Sequence, residues 1–172
     1  MAGKDSIVDM AQLDFDNVVA DIDQIREHLP QRFEMEQLTA IVFISDDHAI
    51  TVGYKDVGHD EFWVRGHMPG MPLMPGVVMC EAAAQLASYS AHRFDMMEGN
   101  MVGFGGMEDV RFRGPVVPGD RLVLMCQMLK LRPGRMIVSR FQGFVGETMV
   151  VDGRLKGIPL PVDALKNVDP RP

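Results

Sequence analysis

His67, Gly76, Glu81 and Gln85 are the residues of this chain whose types and spacing could do chemistry together. An imidazole can take a proton from carbon, and a carboxylic acid can give one to a departing oxygen. A glycine that opens a helix leaves a backbone N–H free at the positive end of the helix dipole, where an oxygen gathering negative charge is stabilised. An amide four residues beyond the carboxylate lies on the same helical face and can hydrogen-bond it or place a water. Together these groups suit acid–base chemistry beside a carbonyl. Each also has a plainer reading. His67 fits an ordinary surface loop, Gly76 a simple helix-start glycine after proline, and Glu81 a solvated stripe with Gln85 and Ser88.

The elements that must hold these residues are marked by proline and glycine. The segment Gly66–His67–Met68–Pro69–Gly70–Met71–Pro72–Leu73–Met74–Pro75–Gly76 contains three of each, so it is a rigid loop and neither helix nor strand. A firmly held backbone is what accurate placement of a base requires. The apolar run that follows, from Val77 to about Phe94, has Glu81 as its first charge. It predicts one long helix, apolar on nearly all sides and therefore buried.

The rest of the chain reads as strands after a short helix. Val18, Ile22, Ile25 and Leu29 are spaced four, three and four apart, which is one helical face, and Pro30 closes it. Leu38–Ile44 and Ala49–Val57 predict a hairpin, and Gly106–Phe112, Arg121–Leu131, Arg135–Val145 and Thr148–Gly157 predict further strands. Val102–Gly103–Phe104–Gly105–Gly106 is glycine-rich, but it precedes a strand rather than opening a helix, which argues against a nucleotide loop. The expected fold class is α+β, an antiparallel sheet wrapped around one central helix. Residues 1–20 are read as an N-terminal extension of uncertain order, and 21–172 as the single domain.

Composition narrows the function classes. Net charge is −7, divided as −10 over residues 1–61 and +3 over 62–172. Such an acidic chain without a lysine or arginine run is a poor nucleic-acid binder, though its basic second half could steer an acidic partner. No apolar run approaches bilayer length, and the first residues lack a basic region followed by an apolar stretch, so no signal peptide is read. Cys80 and Cys126 sit in apolar patterns and predict free buried thiols of a cytoplasmic protein. His48, His59 and His92 form no metal-ligand spacing with them, and no metal or cofactor is expected. The fifteen methionines read as core filler, or as the lining of a flexible acyl tunnel.

His67–Met68–Pro69–Gly70–Met71–Pro72–Leu73–Met74–Pro75–Gly76–Val77, followed by Glu81–Ala82–Ala83–Ala84–Gln85, closely resembles the H-F-P-G-x-P-x-x-P-G-V…E-A-x-A-Q signature of hot-dog-fold 3-hydroxyacyl-acyl-carrier-protein dehydratases of FabZ type. The resemblance spans roughly Asp21 to Pro159, and includes Phe112–Arg113–Gly114–Pro115–Val116–Val117–Pro118–Gly119–Asp120, which looks like the family's F-x-x-P-V-x-P-G-D strand entry. Met68 stands where the family usually has phenylalanine, and Gln31 where it usually has histidine. Glu81 is similar to the FabZ branch, whereas the related dehydratase–isomerase branch has aspartate.

The resemblance implies a hydro-lyase that converts 3-hydroxyacyl thioesters to trans-2-enoyl thioesters in fatty-acid or related lipid synthesis. His67 would be the base, Glu81 the acid, the Gly76 N–H the oxyanion donor and Gln85 a further substrate-site residue, with no metal or redox cofactor. It also implies a homodimer with shared sites, a trimer of dimers as a further assembly, and acyl carrier protein bearing phosphopantetheine as partner. Arg111, Arg113, Arg121, Lys130, Arg132, Arg135 and Arg140 are candidates for its docking patch, or else ordinary solubilising surface. Rival readings are a hot-dog hydratase or thioesterase on acyl-CoA, and a non-catalytic acyl-binding subunit.

Overall fold

The computed structural model describes residues 6–161. Six strands form one antiparallel sheet: β1 (Ala40–Ile44), β2 (Ile50–Asp56), β3 (Met101–Phe112), β4 (Arg121–Arg132), β5 (Met136–Val145) and β6 (Thr148–Leu160). Their spatial order is β1-β2-β4-β5-β6-β3, which leaves β1 and β3 at the edges. A short helix α1 (Ile22–Arg26) precedes the sheet, and the long helix α2 (Gly76–Arg93) lies between β2 and β3 in the chain. This is the expected α+β hot-dog architecture.

Alternation along the strands decides which face takes the helix. Leu122, Leu124, Cys126, Phe141, Val151 and Leu155 point inward and form one core with Met79, Cys80, Ala82, Ala83, Leu86 and Tyr89 of α2. Small residues on α2 let the sheet approach closely, and each large side chain fully buried contributes roughly 1.5–3 kcal/mol. The alternate set, Val42, Val52, Tyr54, Val123, Met125 and Phe144, points outward and is also buried. Its cover is the start of the chain: Val8 belongs to this second core, and Ile7, Met10, Leu13 and Phe15 pack against it. The backbone N–H of Ile7 donates to Gln142 Oε1 at 2.8 Å. Residues 6–20 thus form a strap across the outer face.

Two boundaries differ from the sequence expectation. The helix expected over Val18–Leu29 spans only Ile22–Arg26, capped by Asp21 and Gln24 in a reciprocal capping box. Its upstream half is extended because Val19 and Ala20 hydrogen-bond to Ile41, and pairing with β1 outweighs helical spacing. Strand β3 begins at Met101, so the glycines at 103, 105 and 106 lie inside it. Gly105 is required by packing, since a Cβ there would sit 2.8 Å from Ile158 Cγ2 and 3.0 Å from the Lys156 carbonyl oxygen.

Candidate active site

The loop that carries His67 is tied to itself at both ends of the histidine. Trp63 O accepts from the N–H of Gly66 at 3.1 Å and of His67 at 2.8 Å. The Leu73 N–H donates to the His67 carbonyl at 2.8 Å, and His67 Nδ1 lies 2.7 Å from Leu73 O. A carbonyl oxygen can only accept, so Nδ1 carries a proton, and Nε2 is the ring nitrogen whose lone pair a general base would use. Met68 and Met71 exchange backbone hydrogen bonds at 2.9 and 3.1 Å, and Met74 N–H donates to Val116 O, which pins the loop to the segment before β4.

Helix α2 starts where this loop ends. Pro75 is its N-cap and supplies no side-chain cap. The N–H groups of Gly76 and Val77 therefore have no acceptor among the described residues, and they sit at the positive end of an 18-residue helix. The ring of Phe112 covers Gly76 so closely that a Cβ would come within 2.6 Å of its Cε1. Glycine here answers to packing as well as to chemistry.

Glu81 follows five residues into α2, about 140° around the axis from Gly76. Gln85, only 2% exposed, donates its amide to Glu81 Oε1 at 2.7 Å and to Met35 O at 2.7 Å. Its own oxygen accepts from Gln37 N–H at 2.9 Å. Both amide protons are thus engaged within the chain. Glu36, between those two anchors, forms a two-pronged pair with Arg26 at 2.7 and 2.8 Å, and this guanidinium holds its carboxyl below the usual glutamate range. The segment Met35–Gln37 was invisible to sequence reasoning, because nothing local links it to a helix some fifty residues later.

The four expected residues divide into two groups. Gly76, Glu81 and Gln85 share one helix, with Gln85 bonded directly to Glu81. His67 lies on the loop that precedes this helix, and no hydrogen bond joins it to Glu81 within the chain. Exposed apolar side chains occur at the helix start and along the edge strand β3: Val77 is 70% exposed, Phe112, whose ring covers Gly76, 54%, and Phe104, further along β3, 53%.

The docking candidates also separate. Arg113 pairs with Asp152 and Arg121 with Asp56, at 2.5 and 2.6 Å, and Arg121 lies 4.0 Å from the centroid of the Tyr54 ring. Lys130 and Arg132 end β4, and Arg135 follows in the turn to β5. None of these three has an ion-pair partner among the described residues. Arg111 and Arg140 lie on β3 and β5. Cys80 and Cys126 are free and buried, and no helix among the described residues is long and apolar enough to cross a membrane.

Residues 29–154 match the FabA-like domain family. The 3-hydroxyacyl-[acyl-carrier-protein] dehydratase FabZ of Pelotomaculum thermopropionicum is 36% identical over 135 residues, covering 78% of this chain and 95% of that protein. The FabZ dehydratase of Moorella thermoacetica is also 36% identical over 135 residues, covering 78% and 93%. Among solved structures, the dehydratase heterocomplex ApeI:P from Xenorhabdus doucetiae aligns with a TM-score of 0.67 at 20% identity, over 83% of this chain and 97% of that one. A sigma28-regulated virulence protein from Campylobacter jejuni aligns with a TM-score of 0.59 at 18% identity, over 86% and 96%. At those identities the structural likeness bears on the fold.

Proposed function

We propose, for a chain that belongs to the FabA-like domain family, that it dehydrates 3-hydroxyacyl groups carried as thioesters on acyl carrier protein, forming trans-2-enoyl thioesters for fatty-acid synthesis. The observation that carries this reading is the fixed orientation of His67, its Nδ1–H committed to Leu73 O at 2.7 Å so that Nε2 is the nitrogen that can meet substrate.

In this reading His67 Nε2 takes the proton from C2 of the substrate. The thioester oxygen, as it gathers negative charge, is held by the Gly76 N–H at the helix start. Glu81, in its acid form, gives its proton to the C3 hydroxyl, which leaves as water while the C2–C3 double bond forms. Exchange of the proton from His67 back to Glu81 resets the site. Acid–base transfer contributes roughly 10²–10⁴-fold and an oxyanion donor roughly 10²–10³-fold, so both groups must act together. Gln85 spends both amide protons inside the chain, which supports a role in positioning Glu81 rather than in touching substrate.

We assign a homodimer in which each site takes His67 from one subunit and Glu81 from the other, as the resemblance implies. The edge strand β3 with its exposed Phe104, Met107 and Phe112 beside Val77 is the surface we assign to that contact. Lys130, Arg132 and Arg135, cations at the β4–β5 turn without an ion pair among the described residues, are our docking candidates for the acidic carrier protein. Two reduced buried thiols fit a cytoplasmic setting.

The test uses subunits carrying His67→Ala and subunits carrying Glu81→Gln, each inactive alone, unfolded and refolded together. Random pairing makes half the dimers mixed, each with one complete site of two, so activity should return to about a quarter of wild type. Verified mixed dimers without activity would place both residues in the same subunit's site. Following enoyl product against free thiol on carrier-protein and CoA thioesters separates dehydration from hydration or thioester hydrolysis, and folded wild type without turnover would overturn the enzymatic reading.

A further inference from the structure

Beyond the strap, the outer face of the sheet carries positive charge in a pattern that sheets ordinarily avoid. Register sets Arg140 of β5 directly opposite Arg154 of β6, and like charges in that relation are destabilising. Their flanking partners do little to relieve it. Arg140 faces Gln127 and donates Nε–H to its Oε1 at 2.7 Å. Arg154 faces Glu108 in register, yet neither Arg154 nor Arg111 has an ion pair or side-chain hydrogen bond among the described residues.

These three arginines border an open hollow of about 300 Å³. Two carboxylates also line it. Asp152 is already engaged by Arg113, at 2.5 and 3.3 Å, which leaves Asp109 as the acid at the rim without a side-chain partner among the described residues. The hollow lies on the face opposite α2, because Phe141 and Leu155, the neighbours of Arg140 and Arg154 along their strands, point into the inner core. It is therefore separate from His67 and Glu81.

Planar guanidinium forks are matched to phosphate oxygens, and a dianion between Arg140 and Arg154 would turn their repulsion into attraction. We propose that this hollow is a binding site for a phosphate group, free or as the terminal phosphate of a nucleotide, held by Arg111, Arg140 and Arg154. Nothing in this site depends on the dehydratase reading, so the two stand or fall separately.

Calorimetric titration of the full chain with inorganic phosphate and, in a second arm, with adenosine diphosphate, at matched ionic strength in chloride, tests it. Binding of either is expected, and the tighter of the two identifies the source of the phosphate. Arg140→Gln or Arg154→Gln should each weaken it about tenfold, the loss of one charge-assisted contact. Arg154→Glu places a carboxylate among the phosphate-binding groups, so it should abolish binding in both arms. Absence of binding in both arms, or equal binding by wild type and the folded Arg140→Gln/Arg154→Gln double variant, would overturn the proposal.

Discussion

The side-chain amide of Gln85 joins Glu81, one helical turn before it, to the Met35–Gln37 segment that lies near the start of β1. One buried group thus holds a carboxylate oriented and fastens the long helix to a stretch of chain that has no regular partner of its own.

Gln85→Leu keeps the volume and removes all three hydrogen bonds. It leaves the Gln37 N–H and the Met35 carbonyl without partners, at about 1–3 kcal/mol for each buried unsatisfied group. Urea unfolding should show a loss of at least about 2 kcal/mol, and steady-state kinetics a fall in kcat larger than any change in KM, since Glu81 loses its orienting donor. Unchanged kcat in a variant that merely unfolds earlier would assign Gln85 to the fold alone.

Lys55 and Glu61 form an ion pair of 2.8 Å with side chains only 8% and 12% exposed. The pair secures the end of β2 to the chain just before Trp63, whose carbonyl receives the N–H of His67. Lys55→Met strands a nearly buried carboxylate, for which about 3–5 kcal/mol is expected. Adding Glu61→Gln should recover most of that loss, as read from denaturant midpoints. A single variant as stable as wild type would contradict the pairing.

Deleting residues 1–17 removes Val8 and the apolar side chains packed beside it, and uncovers Val42, Val52, Tyr54, Val123, Met125 and Phe144. At roughly 1.5–3 kcal/mol for each large side chain fully buried, the truncated protein should lose several kcal/mol and scatter light at concentrations where the full chain does not. Equal stability and equal solubility of the two forms would mean the strap is ornamental.

Burial raises the Cys80 thiol above its ordinary range and pushes Cys126 up to about 12, and the Cys126 Sγ–H donates to Ala83 O at 3.5 Å. The thiolate is the reactive form, so at pH 8 only about one Cys126 in ten thousand is ionised. Neither cysteine should react with iodoacetamide in the folded protein, and both should react in guanidinium. Mass spectrometry counts the adducts, and rapid labelling of native Cys126 would refute its burial.

The prolines and glycines before Gly76, the apolar run after it and the turn residues between β-branched stretches are local signals. Local sterics and side-chain period were enough to place the rigid loop, helix α2 and five of the strands within a few residues of where they stand. The residue types His67, Gly76, Glu81 and Gln85 were legible for the same reason, since chemistry and spacing along one helix are properties of the chain itself. What surrounds them was not. The Leu73 carbonyl that sets the His67 tautomer, the Phe112 ring on Gly76 and the grip of Gln85 on Met35 and Gln37 arise from geometry that no period encodes. The placing of residues 6–20 was likewise a tertiary matter. Ile7, Met10, Leu13 and Phe15 follow no helical or strand period because they fit a surface made by other strands. A periodic pattern records an element's own symmetry, whereas a cover records the shape of what it covers, and that shape exists only once the sheet has formed.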